Sequence, residues 1–386
     1  MKNKKRKICF VTGTRADYGL MKELLKKISR SFDLSLIVVG MHLSPEFGNT
    51  VRDIEKDGFK IARKIESFSS EDSGSGMAKS LGLWVIKITE VLEKLKPDFM
   101  LVLGDRGEML AGTIAASNMV IPIIHIHGGD QGDNSGHIDD PIRHAITKFA
   151  HIHFPATKQS AQRIIRMGEE KWRVHMVGSP ALDDIYLGNF YNKQYLEKKY
   201  GLDLSKPLVI MIQHPAFAGI KESVRQIKET LEALKELNFQ TVLIYPNSDQ
   251  GGRAMIKVIR KYEKYDFLKT FKSLPRKDYL SLMKYTDVLV GNSSSCTIDA
   301  PSFKLPAINI GTRESWREHA NNKIFVGYDR KQILKAIRTA LYDKKFRREL
   351  KKCRNPYGDG KASERIVRIL KGIKIDQKLL AKKITY

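Results

Sequence analysis

The sequence predicts an α/β protein made of two doubly wound domains that face each other across a cleft. Three observations lead there. The chain has 386 residues, more than one ordinary domain uses. Short apolar runs alternate with amphipathic segments, the rhythm of parallel strands joined by helical crossovers. That rhythm stops after Gly178–Pro180 and restarts at about Pro207, so the whole pattern occurs twice.

In the first half, KICFVTG, LSLIVVG, FMLVLGD, IPIIHIHGG and HIHFPAT are short and bounded by Gly, Pro or Asp, as buried parallel strands are. Between the first two, YGLMKELLKKISR places Leu20, Leu24 and Ile28 four residues apart, one apolar stripe of a helix. A polar connector rich in Tyr and Lys follows. PLVIMIQHP, FQTVLIYP, DVLVGNSSS and LPAINIGTR then supply a second set of strands. The expected boundaries are 1–184 for the first domain, 185–365 for the second, and 366–386 for a C-terminal helix packing back on the first.

With 42% hydrophobic and 29% charged residues, the chain can bury sizeable cores. No apolar run approaches the roughly 20 residues of a membrane helix. The basic start, MKNKKRK, is followed by too short an apolar run for a signal peptide. Cys9, Cys296 and Cys353 are few and scattered, which predicts reduced thiols in a cytoplasmic protein. The net charge of +25 raises the question of nucleic acid. Its lysines, however, lie in segments such as KKFRRELKKCR that read as solvated helix faces, with no zinc-finger spacing and no basic run interleaved with aromatics. A nucleic-acid partner is therefore not expected, nor is a membrane; the charge suits an anionic small molecule.

Five tight turns follow strands directly: Gly13-Thr14-Arg15, Gly104-Asp105-Arg106, Gly128-Gly129-Asp130, Gly291-Asn292-Ser293 and Gly311-Thr312-Arg313. Ligands of open α/β sheets bind at the carboxyl ends of strands, so these turns should line the site. GTRADYG lacks the dinucleotide fingerprint, and no stretch has P-loop spacing. It offers instead Arg15 beside free N–H groups at a helix start, a diphosphate site. GNSSS gives a second anion candidate, with Asp299 placed to accept from ribose hydroxyls. Asp105, Asp130, Asp139 and Asp140 supply paired carboxylates for proton transfer, close to Arg143 and His144. The pairs His125/His127 and His151/His153 could each chelate, yet no third ligand follows at metal spacing, so hydrogen-bonding histidines and no metal are expected. His214, in IQHPAF, is a single candidate for phosphate or sugar contact.

Read together, VTGTRADYGL, GDRGEMLAGTIAA, IPIIHIHGGD, IDDPIRHAITKFAHIHF, VGSPALDDI, GNSSS, NIGTRESW and NPYGDGKASERI resemble the hydrolysing UDP-N-acetylglucosamine 2-epimerases, in order over about residues 8–370. The resemblance implies two Rossmann-like domains of the glycosyltransferase-B type, the first carrying the catalytic side and the second holding UDP. It implies conversion of UDP-N-acetylglucosamine and water to N-acetylmannosamine and UDP for sialic-acid-type synthesis, without a cofactor, in a homo-oligomer (dimer or tetramer). Carried over by motif, Arg15, His214, Ser293, Ser294 and Arg313 face the diphosphate, and Asp299 the ribose. Asp105, Asp130 and Asp139 surround the sugar beside Arg143 and His144, with His214 counted among the catalytic groups. The chain departs from the family pattern at HGGDQGDNSGHIDD, where Asp130 replaces the usual Glu and a longer link follows. That shorter side chain leaves Asp133 or Asp139 open as the alternative carboxylate.

The chemistry implied is elimination. Departure of UDP makes the anomeric carbon electron-poor and acidifies the neighbouring C2–H, one Asp removes that proton to give a glycal, and a second returns a proton to the opposite face while water adds at C1. Alternatives are the same reaction on a UDP-2,4-diacetamido-2,4,6-trideoxy sugar, and a non-hydrolysing epimerase that returns UDP to the sugar.

Overall fold

The computed structural model describes residues 5–66, 73–132, 138–216 and 219–386. The chain forms two compact units, one from Met1–Gln131, Ile138–Tyr186 and Tyr357–Tyr386, the other from Leu187–Pro356 with Gly132.

The first unit holds strands β1 (Lys7–Thr12), β2 (Asp33–Val39), β3 (Ile61–Ile65), β4 (Phe99–Leu103), β5 (Ile123–Ile126) and β6 (Ile152–Phe154). They form a parallel sheet in the order β3-β2-β1-β4-β5-β6. Alternate residues of a strand face opposite sides, and both sides here are apolar. Ile8 and Phe10 join one core with Leu24, Leu25 and Ile28 of the Arg15–Ser31 helix. Cys9 and Val11 join another with Trp84, Ile88, Met109 and Ile146. The chain returns to this unit at Tyr357, and the Ala362–Gly372 helix buries Ile366 and Leu370 in the first of these cores. Each such side chain contributes about 2 kcal/mol. Arg6 donates to the carbonyls of Leu370 (2.6 Å), Lys371 (3.1 Å) and Ile373 (2.6 Å), satisfying the end of that helix.

The second unit holds β7 (Leu208–Ile212), β8 (Gln240–Ile244), β9 (Leu268–Phe271), β10 (Val288–Gly291), β11 (Ala307–Ile310) and β12 (Lys323–Val326). Their order, β12-β11-β10-β7-β8-β9, is that of the first sheet repeated. In each sheet the chain runs outward from its first strand, then crosses to the other side of it. The reversal falls between β1 and β4 in one unit and between β7 and β10 in the other. A crevice opens where adjacent crossovers diverge, so these two points are where ligand groups belong. Among the described residues no helix is long and apolar enough to cross a membrane.

Candidate active site

At the first switch point, β1 leads into the Thr12–Asp17 turn. Thr14 caps the helix and the Asp17 carboxylate folds back on it, accepting from the N–H of Gly13 (3.2 Å) and Thr14 (2.8 Å) and from the Thr12 and Thr14 hydroxyls. Burial raises the Asp17 carboxyl to about 6, against the pull of these hydrogen bonds. Of the N–H groups at this turn, Asp17 therefore occupies those of Gly13 and Thr14. The turn also presents Arg15, whose Nε lies 3.3 Å from Asp53. His42 is fully buried beneath it, bonded to Thr12 (2.9 Å) and Thr50 (2.8 Å), and burial holds it neutral at about 3.

Across the switch point, Gly104 directly follows β4, and its φ of +72° turns the chain so that Asp105 follows the strand end. Asp105 forms an ion pair with Arg143, a buried residue of the Asp139–Phe149 helix. Arg143 also pairs with Asp140 and donates to the Asp130 carbonyl at 3.0 Å. A buried guanidinium demands such partners, since unpaired it would cost several kcal/mol. The Asp105 side chain is 19% exposed and that of Arg143 2%, so the carboxylate is the open end of the pair. His144, half-buried next along the helix, is held neutral by burial and by Arg143. Asp139 opens the same helix without capping it through its side chain.

Asp130 stands apart from this opening. Its residue is 3% exposed, its Oδ1 accepts from Ser160 (2.6 Å), and Oδ2 lies 3.6 Å from His127 Nδ1. The alternative carboxylate Asp133 lies outside the described residues. The four H-x-H histidines have separate partners: His125 with Gly104 and Thr147, His127 with Ser179, His151 with the Ile123 N–H, and His153 with Glu169. No cluster of metal-ligating type occurs among the described residues.

In the second unit, His214 lies two residues beyond the end of β7, and β10 ends at Gly291. A Cβ on Gly291 would lie 1.8 Å from the Ile212 carbonyl, so the two strand ends meet only because that residue is glycine. Asn292, fully buried, clamps His214: its Oδ1 accepts from the His214 N–H (2.7 Å) and its Nδ2 donates to the carbonyl (2.9 Å). The Asn247 N–H donates to His214 Nδ1 at 3.1 Å. An Nδ1 that accepts carries no proton, so the neutral ring has its N–H on Nε2. His214 thus presents its Nε2–H as a hydrogen-bond donor. The helix expected after GNSSS is a single turn, Ser294–Cys296, too short for a macrodipole, which leaves hydroxyls and local N–H groups as the donors. Arg313 reaches toward the same strand end, 3.5 Å from the Asn292 carbonyl.

Asp299 is 1% exposed and its oxygens accept from Arg276 (2.8 and 3.2 Å) and Ser295 (2.7 Å). A carboxylate so engaged fixes the serine turn from beneath. Asn292 was legible within the GNSSS motif; Arg276, Asn247 and Ser160 lie far away in sequence, with no local signal. Glu108, buried against Gly13, is a further carboxylate at the first switch point that the motif GDRGE displays without revealing its position.

Two repeated parallel sheets, each with a polar switch point, define a two-domain α/β enzyme of the glycosyltransferase-B-like class. The solved UDP-GlcNAc 2-epimerase of Neisseria meningitidis bound to UDP-GlcNAc shares this fold, with a TM-score of 0.81 at 19% identity over 95% of this chain and 100% of that one. Residues 26–371 match the UDP-N-acetylglucosamine 2-epimerase family, and the chain belongs to it, within the hydrolysing branch. A UDP-N,N'-diacetylbacillosamine 2-epimerase (hydrolyzing) of Legionella pneumophila is 41% identical over 98% of both chains. A GDP/UDP-N,N'-diacetylbacillosamine 2-epimerase (hydrolyzing) of Campylobacter jejuni is 39% identical over 83% of this chain and 84% of its own.

Proposed function

We propose that this protein hydrolyses UDP-N,N'-diacetylbacillosamine, a 2,4-diacetamido-2,4,6-trideoxy sugar nucleotide, with inversion at C2 and release of UDP. The observation that carries this substrate is the 41% identity, end to end, with a relative named for that reaction. The second unit binds the diphosphate through the Nε2–H of His214, the Ser293 and Ser294 hydroxyls and Arg313, and Arg15 of the first unit is a further anion-binding group. These donors stabilise the charge that develops as the C1–O bond breaks. The first unit supplies acid–base chemistry. Asp105 takes the C2 proton as UDP leaves, Arg143 orients it, and a second carboxylate from the Asp130–Asp139 stretch delivers a proton to the opposite face as water adds at C1. His144 lies beside this pair as a neutral sugar contact. Three free, buried cysteines support a cytoplasmic setting, and the family resemblance supports a homo-oligomer.

UDP-N-acetylglucosamine is the second reading, favoured by the family match itself. It would yield N-acetylmannosamine and place the enzyme in sialic-acid-type synthesis. Purified protein given each nucleotide sugar in heavy water decides the matter. The expected result is one equivalent of free UDP and one deuterium at C2, fastest with the diacetamido substrate. Product without solvent label would overturn the elimination, and faster turnover of UDP-N-acetylglucosamine would overturn the substrate.

A further inference from the structure

His125 lies in the middle of a sheet, opposite Val102 of β4 and His153 of β6, and is fully buried. A histidine there is a poor choice for packing alone, because two ring nitrogens must be satisfied away from water. Each has a polar neighbour: Nε2 lies 2.8 Å from the carbonyl of Gly104, and Nδ1 3.3 Å from the hydroxyl of Thr147. A carbonyl only accepts, so Nε2 carries the proton and Nδ1 can only accept; the single proton of the Thr147 hydroxyl is shared between Nδ1 and the nearer Arg143 carbonyl. Gly104 is the left-handed residue that turns β4 toward Asp105, and Thr147 lies one helical turn beyond Arg143, whose carbonyl it also contacts at 3.0 Å. One imidazole therefore touches the turn that carries Asp105 and the helix that carries its guanidinium partner.

We propose that His125 is a positioning residue for the reaction: it braces the Gly104–Asp105 turn against the Asp139–Phe149 helix and so fixes where the Asp105 carboxylate stands. Burial, the largest influence on the ring, lowers its basicity to about 3, so the brace stays neutral and in one tautomer throughout the working pH range. Gly128 belongs to the same device, since a Cβ there would lie 2.8 Å from His125 Nδ1.

This inference rests on Asp105 being the catalytic carboxylate, and the test separates the two. His125→Leu removes both hydrogen bonds. A carboxylate displaced by about 1 Å costs roughly 100-fold, so kcat should fall 10- to 100-fold while the Kd for UDP stays within about twofold. His125→Gln keeps an amide donor near the Nε2 position and should recover most of that loss; His125→Asn places its donor near Nδ1 and should not. If the Leu variant does not fold, the Gln and Asn variants with Thr147→Val decide, the last expected to lower kcat several-fold. Equal kcat in the Gln and Asn variants, or a folded Leu variant with the original kcat, would overturn the proposal. Asp105→Asn is measured alongside. Should it turn over normally, the reading of Asp105 fails; should it be inactive while the His125 and Thr147 variants are unaffected, only the brace fails.

Discussion

The two units present the same strand order and opposite chemistry. At the first switch point a carboxylate, Asp105, stands at the strand end with a buried guanidinium behind it. At the second, the strand ends carry an imidazole and an amide locked together, followed by serines, and Asp299 is folded away under Arg276. The topology that makes a crevice is indifferent to what fills it. A site that moves protons needs an ionisable group with some access to the reacting atom, whereas one that holds an anion needs fixed donors and no competing negative charge.

The largest effect should come from removing the proposed acid–base half of this contrast. Asp105→Asn keeps the shape but not the charge, and turnover should drop about 1,000-fold. UDP binding, measured by calorimetry, should barely change. A matching loss of UDP affinity would merge the two roles. The converse change sits in the second unit. Asn292→Ala leaves the His214 N–H and carbonyl without their side-chain partner, at about 2 kcal/mol. The expected result is UDP affinity weaker by roughly 30-fold, with labelling at C2 in the product unchanged. Intact affinity would show that the clamp on His214 is unnecessary.

The smallest effect concerns stability. Glu169 is 1% exposed and accepts from Lys148 (2.7 Å), Lys382 (2.9 Å) and His153 (3.2 Å), which ties the C-terminal segment to the first unit. Burial acts to raise its carboxyl, but these donors outweigh burial and hold it at about 2 against an ordinary 4.5. Its folded value is the lower one, so the stabilisation is complete above pH 4.5 and disappears as the pH falls toward 2. Glu169→Gln should lower stability at neutral pH by about 1.5 kcal/mol, between an exposed and a buried pair, and flatten the acid limb of the unfolding curve. An unchanged acid limb would remove Glu169 from that account.

The strand–helix rhythm, the glycines after strands and the polar residues beside them were all readable because each is a local property. A buried parallel strand is a short apolar run, and a tight turn selects glycine at Gly104 or Gly291 whatever lies elsewhere. The family resemblance was readable for the same reason, as an ordered set of local motifs. Which polar residues are engaged and which are open was not. Asp299 turned inward to Arg276, and Asp130 to Ser160. Those outcomes depend on partners 23 and 30 residues away. His125 is the clearest case. In sequence it was half of an H-x-H pair with no third ligand; only the pairing of β5 beside β4, with the Thr147 helix above it, supplied the two acceptor and donor atoms that give the ring its place. The sequence alone determined the class of fold and where along it polar chemistry collects. Tertiary structure decided which of those groups are spent on holding the site and which remain for a ligand, because hydrogen bonds between distant segments exist only once the sheets have formed.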